Sequence, residues 1–340
     1  MFLSRMIPAR KVAWVLALLA MTLAGCAGVP SPLSPASSDA RLISNLVVIV
    51  FAIAAVVFAV VEGLLIYSAI RFSRKKGSGL PKQVEGNARL EIAWTLAPAI
   101  VLAIVFVLSL RTLRTVAYQP PLASTGKPAI HVRAVGHQWW WEFDYPDLHI
   151  VTADEMHVPV GTVVNVDVES ADVIHSYWVP QLGGKIDAIP GHVNHTWFEA
   201  TGAGVYHAQC AEFCGVEHAN MRFQVVVETP EQFQAWVNGQ QAPVPTLTGD
   251  AATGEQAFMN SSCVGCHTID GTKAQGKVGP NLTHFASRGV FAGAVLDNTP
   301  QNVAKWLADP QQVKPGALMP NLHLPQDQID ELVAFVESLK

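Results

Sequence analysis

The 340-residue sequence predicts a multidomain membrane protein with three folded parts: a two-helix apolar hairpin, an all-β domain and an all-α domain. Only 14% of the residues are charged, well below the roughly 25% of an ordinary soluble protein. Two long apolar runs occur before residue 115, and stretches of alternating apolar and polar residues follow them. The C-terminal part of the chain has helical patterning.

The N-terminus, residues 1–25, is typical of a signal peptide of lipoprotein type. Three basic residues precede an apolar run over residues 12–23, which is too short to span a bilayer. The run ends in "LAGC", which is similar to a bacterial lipobox with Cys26 as the lipid-carrying residue. Ordinary cleavage that leaves Cys26 free is the alternative, but an exposed thiol is a liability in an oxidising compartment. The Pro- and Ser-rich residues 26–41 are predicted to form a periplasmic spacer.

Residues 42–114 are predicted to form a transmembrane hairpin with a cytoplasmic loop over residues 71–91. The first apolar run, residues 42–70, is long enough for a tilted membrane-spanning helix, and the second covers residues 92–110. The loop between them holds six Lys and Arg residues. Because the positive-inside rule places such a loop in the cytoplasm, both flanks of the hairpin face outward, in agreement with an exported N-terminus.

Charge is distributed unevenly along the chain. Residues 1–127 hold 13 Lys/Arg against 4 Asp/Glu, residues 128–229 hold 3 against 13, and residues 230–340 hold 6 against 10. A basic front followed by acidic domains argues against a nucleic-acid partner, which would need a basic face.

We expect a protein of the bacterial inner membrane that contacts lipid, with its N- and C-terminal domains on the periplasmic side.

Residues 128–229 are predicted to form an antiparallel β-domain, a sandwich or a barrel. They contain period-two stretches such as "GTVVNVDVES" and "MRFQVVVE", interrupted by Gly, Pro and Asp. Residues 230–248 are predicted to be a linker that starts with a short helical segment. Residues 249–340 are predicted to be an all-α domain, with helices near 251–260, 300–308 and 326–339.

The stretch "CAEFCGVEHANM", residues 210–221, concentrates soft metal ligands. These ligands are Cys210, Cys214, His218 and Met221. A disulfide and a zinc site are the alternatives, but neither uses the thioether of Met221, which is typical of the weak axial ligand of copper. A mononuclear site of this kind uses one Cys, so two cysteines favour two copper ions that share both thiolates. Such a site needs a second imidazole, and the candidate is His175, at the end of a predicted strand.

The sequence "CVGCH", residues 263–267, is a haem c attachment motif. Cys263 and Cys266 are expected to form thioethers to the porphyrin, and His267 is expected to be the proximal iron ligand. A thioredoxin-like dithiol is the alternative, but that motif occurs in a βαβ context, whereas the surroundings here are predicted to be helical.

The distal ligand of this haem is predicted by elimination. Met319 is the only methionine after His267, and it lies in the Pro-bounded stretch "KPGALMPNL". His284 and His323 are the competing candidates. Met/His ligation gives a haem the high reduction potential of an electron carrier and therefore favours Met319.

Taken together, these motifs resemble subunit II of a bacterial haem–copper cytochrome c oxidase with a cytochrome c domain fused at its C-terminus. The resemblance covers about residues 40–230 and includes "GHQWWW", "VPQLGGKIDAIPG" and the hairpin. It implies a cupredoxin-like β-domain with a dinuclear copper centre, CuA, followed by an all-α class I cytochrome c domain. The ligands it implies are His175, Cys210, Glu212 through its backbone carbonyl, Cys214, His218 and Met221.

The resemblance also implies roles for residues around the metal centres. Electrons would enter the copper site through Trp139, for which simple packing is the alternative. The Glu212 side chain would reach a magnesium or manganese ion at the interface with subunit I. Glu91 would feed protons to subunit I, although a carboxylate is also favoured at a helix N-terminus. The carbonyl of Pro280 would accept a hydrogen bond from the ring of His267.

The implied function is electron relay in a respiratory cytochrome c oxidase. Electrons would pass from cytochrome c or another periplasmic donor to haem c, to CuA and to the haem of subunit I, where dioxygen is reduced to water with proton pumping. Subunits I and III of the oxidase are the implied partners. The alternatives are the CuA subunit of a nitric oxide reductase and a free-standing, membrane-anchored electron-transfer protein.

Net charge predicts how the two periplasmic domains meet. The β-domain carries −10, and residues 249–340 carry −3 (6 Lys/Arg against 9 Asp/Glu). We therefore expect complementary charge not to be the main attraction between them. A linker of roughly 20 residues would instead hold the cytochrome at a high effective concentration. Docking would rest on an apolar patch around the haem edge and on Trp139 or its neighbours.

Overall fold

The computed structural model describes residues 30–73, 85–117, 129–244 and 246–340. The predicted signal peptide, Cys26 and most of the basic loop lie outside the described residues. Helices α1 (Ser38–Arg71) and α2 (Ala88–Val116) are long and apolar enough to cross a membrane. Their most apolar stretches are not buried by any part of the described chain, as expected for lipid-facing surfaces. The predicted hairpin is therefore confirmed.

The first turn of α1 is anchored to the β-domain by hydrogen bonds. Ser37 caps the helix by accepting from the amide of Ala40, and its hydroxyl also donates to the carbonyl of Leu182 at 2.6 Å. The amide of Ala36 donates to the carbonyl of Gln181, and its carbonyl accepts from the amide of Thr201. These contacts hold the β-domain close to the periplasmic surface of the membrane.

The β-domain consists of ten strands in two sheets. The strands are β1 (Ala129–His137), β2 (Trp140–Tyr145), β3 (Ile150–Ala153), β4 (Glu155–Pro159), β5 (Val163–Ser170), β6 (His175–Trp178), β7 (Ile186–Ala188), β8 (Asn194–Glu199), β9 (Gly204–Cys210) and β10 (Arg222–Glu228). One sheet has the order β3-β2-β1-β5-β8 and the other has the order β4-β10-β9-β6-β7. Aromatic rings fill the space between the sheets. The ring centroid of Phe223 lies 5.0–5.4 Å from those of Tyr177, Trp141 and Phe143.

The prediction of an antiparallel domain was wrong for two strand pairs. Strands β1 and β5 pair in parallel, and so do β4 and β10. The reason is that the chain leaves the first sheet at Asp154, between β3 and β4, and returns to it with β5. Period-two patterning shows which face of a strand is buried, but it carries no information about strand direction.

The predicted linker starts with a helix that belongs to the β-domain. Helix α3 (Pro230–Gln240) is capped by Thr229 and buries Phe233 and Val237 in the same core as the strands. Trp236 stacks on the ring of His157 with a centroid distance of 4.5 Å. The segment between the two domains therefore begins only after Gln240, and the tether is shorter than the roughly 20 residues expected.

The C-terminal domain is built from helices around a second core. The helices are α4 (Asp250–Met259), α5 (Pro300–Ala308), α6 (Pro310–Val313) and α7 (Gln326–Val336), and two short strands, β11 (Val290–Phe291) and β12 (Leu296–Asp297), form a hairpin. Helices α4 and α7 approach so closely that a Cβ at Gly254 would collide with the backbone of Glu331. Phe258 and Phe335 pack beside this crossing. The predicted helical domain is confirmed, and the short β11–β12 hairpin is an addition to the all-α prediction.

Candidate metal and haem sites

The predicted copper ligands lie at one end of the second sheet. Strand β9 ends at Cys210 and β10 begins directly after Met221, so residues 210–221 form a loop between two paired strands. We call these residues the copper loop. His175 begins β6, the neighbour of β9, which brings the imidazole beside the loop although it lies far away in sequence.

The side chains of this cluster are within coordination range of a shared centre. The thiol of Cys210 lies 3.8 Å from that of Cys214 and 3.9 Å from Nδ1 of His175. The thiol of Cys214 lies 3.6 Å from Nδ1 of His218 and 3.7 Å from Sδ of Met221. The Glu212 carbonyl lies 3.1 Å from the Cys210 sulfur. The structure therefore brings together all six residues that the resemblance implies.

This set of donors fits copper. The two sulfurs are too far apart for a disulfide, in which they lie about 2.05 Å apart. His175 and Met221 are fully buried, and both thiols are nearly so. Hydrogen bonding with Cys214, and to a lesser extent with His175, lowers the pKa of Cys210. The lowered pKa favours ionisation of this thiol to a thiolate. Two thiols, two imidazoles and a thioether, all but His218 buried, match the preferences of copper better than those of zinc.

Asp172 orients the buried imidazole from behind. Its Oδ1 lies 2.7 Å from Nε2 of His175, which leaves Nδ1 facing the sulfurs. Burial raises the pKa of Asp172, but hydrogen bonds from His175 and from the amides of Gln138 and Val173 outweigh it, and the net pKa is lowered. Asp172 is therefore ionised and fixes the ring of His175 by a charge-assisted hydrogen bond.

A large apolar cavity of about 250 Å³ lies in the C-terminal domain and reaches the β-domain. Cys263, Cys266, His267 and Met319 all line it. A cavity bounded by a C-x-x-C-H motif and a thioether fits a covalently bound haem. We call it the haem cavity.

His267 has the tautomer that a proximal ligand needs. Its Nδ1 lies 2.9 Å from the carbonyl of Pro280, and because a carbonyl only accepts, Nδ1 carries the proton and Nε2 is free to bind iron. Burial lowers the pKa of His267, which keeps the imidazole neutral. Gly279 lies against the ring, and a Cβ there would be 2.9 Å from Nδ1.

Met319 lines the haem cavity, whereas the competing histidines do not. Nδ1 of His284 contacts the carbonyl of Lys340 at 2.9 Å, and His284 is not part of the cavity lining. His323 is not part of the cavity lining. The indole N–H of Trp306 donates to Sδ of Met319 at 3.1 Å, which fixes the thioether at the cavity wall.

Trp139 lies between the haem cavity and the copper loop. It is one of four β-domain residues that line the cavity, together with Gln138, Trp140 and Asp154. Its indole N–H donates to the carbonyl of Cys214 at 3.0 Å, and the side-chain amide of Gln138 donates to the same carbonyl at 2.7 Å. Trp141, in contrast, is fully buried in the core.

The interface between the two domains is polar as well as apolar. Oε1 of Glu155 accepts from the amides of Gly289 and Val290, and Oδ2 of Asp154 accepts from the amide of Gly293. Lys314 reaches across from the C-terminal domain, and burial lowers its pKa to about 8 against the opposing effect of Asp154. The expectation of a mainly apolar contact was therefore incomplete.

No sequence motif marks these interface residues. Asp154 and Glu155 lie where the chain changes sheets, and Lys314 lies five residues before Met319. Their position near candidate ligands was the only available signal.

Two predicted site residues lie outside the buried part of the copper site. Glu91, in the first turn of α2, is exposed, and so is the side chain of Glu212.

Three family descriptions match the chain. "Cytochrome C oxidase subunit II, transmembrane domain" matches residues 32–112, "Cytochrome C oxidase subunit II, periplasmic domain" matches residues 148–229, and "Cytochrome c" matches residues 251–340. Cytochrome c oxidase subunit 2 of Alkalihalophilus pseudofirmus is 37% identical over 330 residues, 96% of each chain. The chain belongs to the cytochrome c oxidase subunit II family.

A second relative agrees with this membership. Cytochrome c oxidase subunit 2 of Bacillus sp. (strain PS3) is 38% identical over 341 residues, 95% of each chain. The crystal structure of the periplasmic domain of subunit II of cytochrome oxidase of Bradyrhizobium japonicum is 38% identical, covering 33% of this chain and 93% of its own, with a TM-score of 0.32.

Membership in the subunit II family decides the broad function. The chain is a membrane subunit of a cytochrome c oxidase, with a periplasmic domain and a fused cytochrome c domain, and it transfers electrons to subunit I. The periplasmic domain implies CuA and the cytochrome domain implies covalent haem c, in agreement with the clustered His175, Cys210 and Cys214. These matches favour neither a nitric oxide reductase subunit nor a free-standing carrier.

Replacing Asp172 with alanine should weaken copper binding. Without the carboxylate, nothing holds Nε2 of His175, and loss of such an orienting partner costs roughly 10–100-fold in metal affinity. Competition with a copper chelator measures this. Asp147→Ala, at an exposed turn of the same domain, is the control. Equal affinity in both variants would show that Asp172 does not support the site.

Proposed function

We propose that the chain relays electrons from the haem cavity through Trp139 to a dinuclear copper centre held by the copper loop. The observation that carries this proposal is the position of Trp139, which lines the cavity and donates a hydrogen bond to the carbonyl of Cys214. When bound, haem c and CuA each supply a one-electron redox centre. The native donor is proposed to be cytochrome c or another periplasmic electron carrier.

The six clustered residues are proposed to hold two copper ions. Cys210 and Cys214 lie 3.8 Å apart, so both thiolates would be available to the ions. An imidazole Nδ1 lies beside each sulfur, from His175 or His218, and would supply nitrogen. Sδ of Met221 and the carbonyl of Glu212 would complete the donor set. His175, Met221 and both thiols are buried, which limits the access of water to them.

The haem is proposed to be held by four residues of the cytochrome domain. Cys263 and Cys266 would attach the porphyrin, and Nε2 of His267 and Sδ of Met319 would bind the iron. Pro280 fixes the His267 tautomer, and Trp306 fixes the thioether. These supports position both ligands before iron binds.

Two exposed carboxylates are proposed to act at the contact with the rest of the oxidase. Glu212 lies in the copper loop with its side chain in solvent, so it is free to bind a magnesium or manganese ion shared with subunit I. Glu91 lies in the first turn of α2, at the cytoplasmic end of the hairpin, where it is free to feed protons to subunit I. Dioxygen reduction with proton pumping then takes place in subunit I. Subunit III is proposed to complete the assembly.

The copper number can be measured directly. We expect about two copper ions per chain and, in the oxidised form, one unpaired electron shared between them. Cys214→Ser should abolish the shared signal, whereas Met221→Leu should keep both ions and shift the reduction potential. Metal analysis with electron paramagnetic resonance tests this. A four-line hyperfine pattern from a single copper ion would contradict the dinuclear assignment.

Replacing Trp139 with leucine should slow electron transfer from haem c to CuA by at least roughly tenfold, the change that a barrier increase of about 1.4 kcal/mol produces. Flash-induced reduction of haem c, followed by absorbance at CuA, measures the rate. Trp140→Leu is the matched control, because Trp140 lines the same cavity but stacks on His137 with a centroid distance of 4.2 Å. Equal slowing in both variants would mean that Trp139 only fills space.

Glu91→Gln should slow oxidase turnover in the assembled complex without changing the reduction of CuA by haem c. The amide keeps the size of the side chain but cannot release a proton at neutral pH. Glu85→Gln, just before the helix, is the control and should leave turnover unchanged. If both steps slowed equally in Glu91→Gln, the residue would support the hairpin fold rather than proton uptake.

A further inference from the structure

Lys314 is a buried cation that joins the two periplasmic domains. It directly follows α6 in the cytochrome domain, and only 3% of the residue is exposed. Its ammonium group donates to three backbone carbonyls: Trp139 at 2.6 Å, Asn220 at 2.7 Å and Ala292 at 2.9 Å. An ammonium has three N–H groups, so every donor of Lys314 has a partner.

The three carbonyls belong to three functionally different segments. Trp139 is the aromatic residue between the haem cavity and the copper loop. Asn220 precedes Met221, so its carbonyl is part of the peptide that leads to a proposed copper ligand. Ala292 lies in the cytochrome domain, in the hairpin turn after β11. A single side chain thus fixes the backbone on both sides of the proposed electron path.

The surroundings of Lys314 are built to accept a charged group. Asp154 and Glu217, both buried in the β-domain, supply negative charge near the ammonium. Asp154 also accepts hydrogen bonds from the amide of Gly293, at 2.8 Å, and from the amide of Trp141, at 3.2 Å. A charge that is buried without such partners would be strongly destabilising.

The backbone of the cytochrome hairpin fits closely beside Lys314. The carbonyl of Gly293 accepts from the amide of Arg222 at 3.0 Å, which extends the contact to the start of β10. Gly293 has φ +75°, and a Cβ there would lie 2.6 Å from the Asn220 carbonyl and 2.8 Å from that of Trp139. The position therefore requires glycine both for its conformation and for its space.

We propose that Lys314 is a positioning residue that keeps the fused cytochrome domain docked, with its haem cavity held against Trp139 and the copper loop. The inference rests on the proposed electron relay. The cytochrome is therefore not a tethered carrier that searches for its partner in each turnover. It is held in one pose by the buried ammonium of Lys314, which donates hydrogen bonds to the carbonyl oxygens of Trp139, Asn220 and Ala292.

Hydrogen–deuterium exchange of the purified, metal-loaded oxidase complex tests the proposal. Lys314→Met keeps an unbranched side chain of similar length but removes the donors, so three buried carbonyls lose their partner. We expect exchange in peptides covering residues 219–224 and 288–296 to become at least about tenfold faster, because loss of buried hydrogen bonds lowers the cost of local opening. Exchange in α4, α7 and β5 should stay unchanged.

Kinetics and a second variant make the test specific. In Lys314→Met, transfer from haem c to CuA should slow by about tenfold or more while both reduction potentials stay constant. Asp154→Asn keeps the shape of the side chain but removes its charge. It should speed exchange in the same two interface peptides, but by a smaller factor. Lys305→Met, at an exposed lysine of α5, should behave as the parent protein.

Three outcomes would overturn the proposal. Unchanged exchange in the two interface peptides would show that docking does not depend on Lys314. Faster exchange throughout the cytochrome domain would show that Lys314 stabilises its own domain rather than the contact. An equal effect of Lys305→Met would show that any lost lysine suffices. Because exchange does not require electron transfer, a failed relay through Trp139 and a failed docking role for Lys314 can be told apart.

Discussion

The arrangement of the periplasmic part depends on how Trp139 is held at both ends. Its indole N–H binds the carbonyl of Cys214 in the copper loop, and its own carbonyl accepts from Lys314 of the cytochrome domain. Trp139 also lines the haem cavity. If either contact were absent, the wall could move, and the distance between the two redox sites would no longer be set by the fold.

Net charge is a poor guide to how these domains meet. Both are acidic overall, yet the contact contains one buried ammonium beside Asp154, and Glu155 accepts from two amides of the neighbouring domain. Whole-domain repulsion acts between exposed charges and is weakened by salt beyond about 10 Å, whereas a buried group at hydrogen-bond distance is screened much less. A few local contacts therefore decide the pose, and the short segment after Gln240 keeps the domains near each other.

The sequence predicted those features that local chemistry determines. The hairpin follows from apolar length and loop charge, and the Cys, His and Met residues of the two motifs could be named because metals select ligand types. The parallel pairing of β1 with β5 could not be predicted, because it depends on a crossing between sheets that patterning does not record. Helix α3 was placed in a linker because its two buried residues meet their partners only in the folded domain. Lys314 was missed for the same reason: its acceptors are backbone carbonyls, which every sequence contains.

The most direct test of a fixed pose is the distance between oxidised haem c and oxidised CuA in the intact oxidase, measured by pulsed electron paramagnetic resonance. If the contacts around Trp139 hold the domains together, the distance distribution should be single and narrow, and it should stay the same between low and high ionic strength. A broad distribution, or one that shifts with salt, would show a cytochrome domain that moves on its tether and would contradict this account.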